Sequence, residues 1–353
     1  MYPAALVETA GVMRRARRIL AMCHVSPDGD AIGSLLGLGW LMRELPLELP
    51  GTDKGRASAL SPSDPDAGRA IVLACADAVP PQLRFLPGVG EITAKPPAGV
   101  YDVVVTLDAS DPLRLGGIFR AEITGSTPIV NLDHHVTNLR FGTHNYVATS
   151  AAATSEVVVD LADALGIPIR KPAATCLLTG IVTDTLSFRT PSVTPRVLQM
   201  AARLMEAGAD ITEITERAMN SRPARAMRLW GLALSQLRCQ GGVIWTSVSR
   251  EMKAEAGAPE DGDSGLSSFL INAPEADVAA VFTEQPNGQV EVGLRSRPGF
   301  DVSQVALGLG GGGHPQAAGC IVAGPLEAAE ARVVALLYAL TGTETVAGTL
   351  TSE

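Results

Sequence analysis

Three strand-like runs in the first half of the chain each end in side chains suited to a charged site, and this constrains the fold more than any bulk property. Arg18 to His24 reads as a strand that runs into His24-Val25-Ser26-Pro27-Asp28-Gly29-Asp30. Val103 to Leu107 is followed by Asp108, and Ile129 to Leu132 by Asp133-His134-His135. Helical stretches separate and follow them: Ala31 to Leu45, then Thr154 to Leu165 with Thr154 as the expected N-cap and Gly166 as the stop, then Ala173 to Asp184. Strands spaced by helices imply a parallel sheet with helices on both faces. Such sheets bind ligands beyond the carboxyl ends of their strands, where all three polar groups lie.

The second half reads differently. Thr194-Pro195 is an N-cap followed by proline at the first helical position, opening a helix that should stop near Gly208. A further helix, Ile211 to Met219, leads to Ser221-Arg222-Pro223. Val243 to Val248, Val278 to Phe282 and Gln289 to Leu294 are strand-like, and Asn287-Gly288 is a hairpin turn. Asp301-Val302-Ser303-Gln304 resembles a capping box for a short helix ending in Gly310 to Gly313, and Leu326 to Leu340 should be a final helix. The expected organisation is a parallel-sheet domain over 1–190, a helical linker over 191–225 and a smaller mixed α/β domain over 226–345. Residues 51–69, rich in Gly, Ser, Pro and Asp, read as a surface loop.

Composition limits the partners. The net charge is −9 and aromatic residues are 4%, whereas long nucleic acid is gripped by basic grooves with stacking rings. A small anion stays possible, because bound divalent cations reverse the local field. Cys23, Cys75, Cys176, Cys239 and Cys320 are scattered and form no CxxC pair, which excludes a zinc finger and predicts a reducing compartment. No uncharged apolar run is long enough to span a membrane, and Arg14, Arg15, Arg17 and Arg18 precede a short apolar run with no cleavage-like segment. The expectation is a cytoplasmic protein with no membrane partner.

Taken singly, each acidic strand end is as well explained by a solvated turn, and Asp184 by a helix-terminal turn residue. Three strand ends together are not so easily explained. Carboxylates crowded at one edge raise one another's pKa unless cations neutralise them. Imidazoles mixed with carboxylates suit Mn²⁺, with Mg²⁺ or Co²⁺ possible, and no cysteine joins the group. Two cations sharing a bridging carboxylate would also supply the machinery of in-line phosphoryl transfer.

At this point the residues resemble a known family, the DHH phosphoesterases. The resemblance rests on His24-x-x-x-Asp28-x-Asp30, Asp108, Asp133-His134-His135 and Gly180-Ile181-Val182-Thr183-Asp184-Thr185, in that order, and continues through Asn138, Phe141-Gly142 and Ala151-Ala152-Ala153-Thr154. Leu294-Arg295-Ser296 and Gly311-Gly312-Gly313-His314 resemble the DHHA1 domain. The resemblance implies two metals: His24, Asp28 and Asp184 on one, Asp30 and His134 on the other, Asp108 bridging. It implies that His135 faces the substrate phosphate or assists the leaving group, and that Asp133 orients the site or is a secondary ligand. Arg295, Ser296, Gly312, Gly313 and His314 would bind a distal phosphate or ribose. Consecutive glycines expose N–H groups to an anion, and arginine offers phosphate a planar fork. His144 lies outside the motifs and is read as structural or surface.

Within that family, which also holds RecJ-type nucleases, the motif set is most similar to the stand-alone nanoRNase/pAp-phosphatase (NrnA-like) type. It implies hydrolysis of short oligoribonucleotides, pApA and 3′-phosphoadenosine 5′-phosphate (pAp) by a homodimer, with cyclic di-AMP as a further candidate substrate. A cyclic-dinucleotide phosphodiesterase and a non-catalytic nucleotide sensor are the alternatives.

Overall fold

Apolar runs flanked by turn residues become strands here, and their pairing decides where the polar strand ends meet. The computed structural model describes residues 2–46, 69–120, 125–220, 222–258 and 265–342. The loop expected over 51–69 lies outside these but for its last residue. The chain forms two units, dividing between 221 and 222.

The first unit contains α1 (Ala4–Arg15), β1 (Arg18–Cys23), α2 (Gly29–Glu44), β2 (Ala70–Ala74), β3 (Ile92–Thr93), β4 (Val103–Leu107), β5 (Ile129–Asp133), β6 (His144–Val147), α3 (Thr154–Leu165) and α4 (Lys171–Asp184). The strand order is β3-β2-β1-β4-β5-β6, and every pair is parallel. From β1 the chain builds outward through β2 and β3, then returns to build β4, β5 and β6 on the other side. The order therefore reverses between β1 and β4, which opens a crevice at their carboxyl ends. His24 follows β1 and Asp108 follows β4, so both flank that crevice. Neighbouring strands lie about 4.8 Å apart, which brings successive strand ends within reach of one small ion.

One face of this sheet packs Ile19, Ala21, Val103 and Val105 against α1 to α4 through Leu6, Leu35, Leu38, Val157, Leu161 and Leu177. The opposite face is covered by a smaller cluster in which Leu20, Met22 and Val104 meet Leu115 and Ile118. Those two belong to a 3₁₀ segment, Pro112–Ile118, so among the described residues this face carries no α-helix comparable to those on the first. The α2 and α4 axes approach closely: a Cβ on Gly33 would sit 2.5 Å from the Cys176 carbonyl oxygen, so only glycine fits that crossing.

The segment expected as a linker is helical, but much of it belongs to the first unit. In α5 (Pro195–Glu206), Val197, Met200, Ala201 and Leu204 recur at helical spacing and are buried in the first core, as is Ile214 of α6 (Ile211–Ile214). Thr194 caps α5 as expected, accepting from Val197 N. Beyond α6 the helix widens into a π turn, Thr215–Asn220.

The second unit contains α7 (Ala224–Leu234), β7 (Arg238–Gln240), β8 (Val243–Val248), α8 (Arg250–Ala256), α9 (Leu266–Leu270), β9 (Val278–Glu284), β10 (Gln289–Ser296), α10 (Val302–Gly308), β11 (Gly312–His314), β12 (Ala317–Ala323) and α11 (Leu326–Thr341). Its sheet runs β11-β12-β10-β9-β8-β7, with β8 and β9 parallel and the other pairs antiparallel. Val290, Val292 and Leu294 of β10 alternate into a core with Val333 and Leu337 of α11. Gly288, at φ +77°, makes the turn between β9 and β10. Gly310 to Gly313, expected to end the short helix, lead into the edge strand β11, where Gly311 and Gly313 lie so close to β12 that a side chain would strike it. No helix among the described residues is long and apolar enough to cross a membrane.

Candidate metal centre

Each polar strand end is held by its own local chemistry. After β1, the turn through Ser26 and Pro27 delivers Asp28 to the N-cap of α2, where its Oδ1 accepts from the N–H groups of Asp30 and Ala31, both at 3.0 Å. Asp30 lies in the first helical turn and is 1% exposed. Asp108 adopts a left-handed φ of 56°, which aspartate tolerates better than most residues, and is 4% exposed. Asp133 ends β5 and is wholly buried.

The side chains converge. His24 Nε2 lies 3.4 Å from Asp108 Oδ2 and 3.9 Å from Asp28 Oδ1. His134 Nε2 lies 3.7 Å from Asp108 Oδ1 and 3.6 Å from Asp184 Oδ2. Three groups result among the described residues, His24 with Asp28 and Asp108, Asp30 with His134 and Asp184, and Asp108 with Asp133, His134 and His135, each with its ligand atoms within 4.8 Å of one another. Asp108 lies between the two imidazoles, with one oxygen toward His24 and the other toward His134. The expected six residues therefore come together, but Asp184 stands with Asp30 and His134, not with His24 and Asp28. The reason is that Asp184 ends α4, and the α2–α4 crossing carries that end over Asp30.

The imidazoles are oriented from behind. His24 Nδ1 lies 2.7 Å from the Val25 carbonyl oxygen and His134 Nδ1 lies 3.3 Å from that of Ala151. With Nδ1–H donated to a carbonyl, each ring presents the Nε2 lone pair to the cluster. Asp133 accepts from the backbone N–H of His134 at 2.8 Å, from His135 Nδ1 at 2.7 Å and from Asn138 Nδ2. Its lone pairs are thus largely committed, which fits an orienting role.

The electrostatics test whether cations fit. Burial, then the Asp108 charge, pushes Asp28 up, and the same two causes with Asp184 push Asp30 well up. Burial with the Asp108 and Asp28 charges pushes Asp184 up to about 8. For Asp108 burial opposes ionisation, but the His24 hydrogen bond and the surrounding imidazoles outweigh it and hold the carboxyl below its usual range. Burial disfavours charge on His24 and His135 as well, yet Asp108 in the first case and Asp133 in the second raise both to about 9. A cluster that retains protons on buried carboxylates and imidazoles is short of positive charge, and divalent cations supply it. The donors are nitrogen and oxygen only, which suits hard or borderline ions.

Two contributors were not legible as such. Thr154, expected as an N-cap, is the first residue of α3: its hydroxyl donates to Asp108 Oδ1 at 2.9 Å and its N–H to Asp30 Oδ2, with Ser155 N on Asp30 Oδ1 at 2.9 Å. Gly180 makes room for this, since a Cβ there would lie 2.0 Å from Ser155 Oγ and 2.5 Å from Asp30 Oδ1. Glycine inside a helical run, costing about 1 kcal/mol against alanine, was the available signal for a packing reason.

In the second unit, Arg295 of β10 donates through Nε to Ser268 Oγ at 3.0 Å. It lines a groove of about 630 Å³ with Gly293, Gly310, Gly311 and Gly319. Gly312, Gly313 and His314 are exposed along β11. Ser296 differs from expectation: it is 8% exposed and its hydroxyl lies 2.6 Å from the Phe300 and 3.1 Å from the Pro315 carbonyl oxygens, so it braces the loop between them. His144 Nδ1 pairs with Glu8 at 2.9 Å, away from the cluster.

The profile of the DHH family, N-terminal domain, matches residues 18–181, and that of the DHHA1 domain matches residues 249–340. The chain is 38% identical over 305 residues to the bifunctional oligoribonuclease and PAP phosphatase NrnA of Thermus thermophilus, covering 85% of this chain and 83% of that protein. It is 24% identical over 327 residues to the protein of the same name from Mycoplasma genitalium, covering 91% and 94%. Among solved structures, an exopolyphosphatase-related protein from Bacteroides fragilis superposes with a TM-score of 0.83 at 23% identity, covering 96% of each chain, and shares the fold.

Proposed function

The chain belongs to the DHH family, and from that premise we propose that it is a two-metal phosphoesterase that hydrolyses short oligoribonucleotides and pAp to mononucleotides. The observation that carries this is the pair of three-residue groups joined through Asp108. The names of the relatives from Thermus thermophilus and Mycoplasma genitalium support the substrate class. Manganese is the metal that this mixed imidazole and carboxylate set suits best, with Mg²⁺ and Co²⁺ as substitutes.

In this reading His24, Asp28 and Asp108 would hold one cation, and Asp30, His134 and Asp184, with Asp108, the other. The cations, when bound, neutralise the phosphoryl oxygens and favour ionisation of an attacking water. His135 is held at Nδ1 by Asp133, and in the metal-free protein burial opposes its charge but Asp133 and Asp108 raise it to about 9, so a proton is available there at neutral pH. It either pairs with the scissile phosphate or hands that proton to the departing oxygen, an effect worth roughly 10²–10⁴ in rate. Arg295, His314 and the N–H groups of Gly312 and Gly313 bind a second phosphate of the substrate, and Ser296 supports their loop. A requirement for a second phosphate favours pAp and very short RNA. The low aromatic content and negative charge argue against long strands. The reading extends to cyclic di-AMP as a further substrate and to a cytoplasmic homodimer, whose mass sedimentation can check.

The test is a parallel turnover assay on a diribonucleotide, pAp, cyclic di-AMP and a 24-nucleotide RNA, with Mn²⁺, Mg²⁺ and Co²⁺. Turnover of the short substrates, lost in Asp108→Ala, is expected. Equal degradation of the 24-mer would exclude the short-substrate reading, and nucleotide binding without turnover would favour a sensor.

A further inference from the structure

Behind the metal centre lies an ion pair that none of the expected site residues includes. Glu156, in the first turn of α3, is 1% exposed, and a buried carboxylate is costly unless its oxygens are occupied. Its Oε2 accepts from the Ala152 N–H at 3.0 Å, and its Oε1 pairs with Arg196 Nη1 of α5. The same guanidinium reaches Asp160 through Nη2, and Tyr146 donates to the other Asp160 oxygen at 3.1 Å.

What Glu156 grips is the turn that orients the cluster. Ala151 O receives His134 Nδ1, Thr154 N and Ser155 N both donate to Asp30, and the Thr154 hydroxyl donates to Asp108. Four contacts to three candidate ligands thus come from residues 151–155, and Glu156 ties that turn to α5 through the Ala152 N–H. We propose that Glu156 and Arg196 are positioning residues: the pair fixes the turn at 151–155 and through it the placement of His134, Asp30 and Asp108 for metal. This rests on the two-metal reading. Neither side chain reaches the cluster itself, so the pair acts through the turn alone.

Arg203 provides an internal control. It lies two turns along α5 and likewise ties α5 to α3, here by a bidentate pair with Asp163, whose carboxylate makes no hydrogen bond to the turn. The experiment compares wild type, Arg196→Ala, Arg196→Lys and Arg203→Ala in the full chain, measuring Mn²⁺ affinity by titration alongside the thermal midpoint. Residues that orient metal ligands typically change affinity about 10- to 100-fold when lost. Arg196→Ala should weaken Mn²⁺ binding at least about tenfold, Arg196→Lys should recover part of it, and Arg203→Ala should leave it unchanged, with a smaller fall in the midpoint because Asp163 is part-exposed. At saturating Mn²⁺, KM for pAp should be that of wild type. Unaltered Mn²⁺ affinity in Arg196→Ala would overturn the proposal. Equal weakening in Arg203→Ala would also overturn it, because the effect would then be general loosening between α3 and α5. A wild-type protein that bound no divalent cation would overturn the two-metal reading, and this inference with it.

Discussion

Thr154 donates its hydroxyl to Asp108 at 2.9 Å while its backbone N–H goes to Asp30, so one residue at the start of α3 holds both the proposed bridging carboxylate and a proposed ligand of the second cation. The helix N-terminus adds its own partial positive charge to these carboxylates. Thr154→Val keeps the shape and removes the donor. It should destabilise the metal-free protein by about 1–3 kcal/mol, the cost of a buried acceptor left unpaired, and Thr154→Ser should restore it. Denaturant titration of the three proteins checks this, and indistinguishable midpoints would remove the hydroxyl's role.

Gly180→Ala should be worse than an ordinary glycine replacement. Elsewhere inside a helix, alanine for glycine is stabilising. Here the added carbon would meet Ser155 Oγ and Asp30 Oδ1, and overpacking costs about 1–3 kcal/mol. Because one of the displaced atoms is an oxygen of the proposed ligand Asp30, Mn²⁺ affinity should fall along with stability. A stabilised variant with wild-type affinity would refute the packing argument.

The imidazoles give the metal-free protein a pH signature. His24 and His135 stand at about 9 against an ordinary 6.5, so protons bind the folded state more tightly than the unfolded one. Their contribution to stability is complete below pH 6.5 and is lost as pH rises through about 9. Ligation needs His24 deprotonated, so cation binding gains over the same window. The gap between thermal midpoints in Mg²⁺ and in chelator should widen from pH 6.5 to 9. A constant gap would show that these protons do not compete with the metal.

Arg295→Ala separates substrate binding from metal binding. Hydrogen bonds to charged groups are worth about 1.5–3 kcal/mol, so KM for pAp should rise about tenfold or more, with kcat little changed and Mn²⁺ affinity that of wild type. A fall in kcat at unchanged KM would place Arg295 in a different role.

The sequence by itself determined the residue types of the centre and the strands that carry them. Strands announce themselves locally, and a polar group directly after a parallel strand has one end of the sheet to occupy. His24, Asp28, Asp30, Asp108 and His134 were therefore legible, as were the hairpin at Gly288 and the cap at Thr194. Only the tertiary structure decided which of them act together. Asp184 joins Asp30 and His134 because α4 crosses α2 at a contact that only glycine permits. Thr154 became a donor to Asp108 instead of a cap, Ser296 turned inward to brace a loop, and α5 joined the first core instead of linking two. In each case the deciding quantity is a distance between residues far apart in sequence, set by how helices cross and what they bury. Local pattern carries which groups are present; packing alone fixes which atoms share a centre.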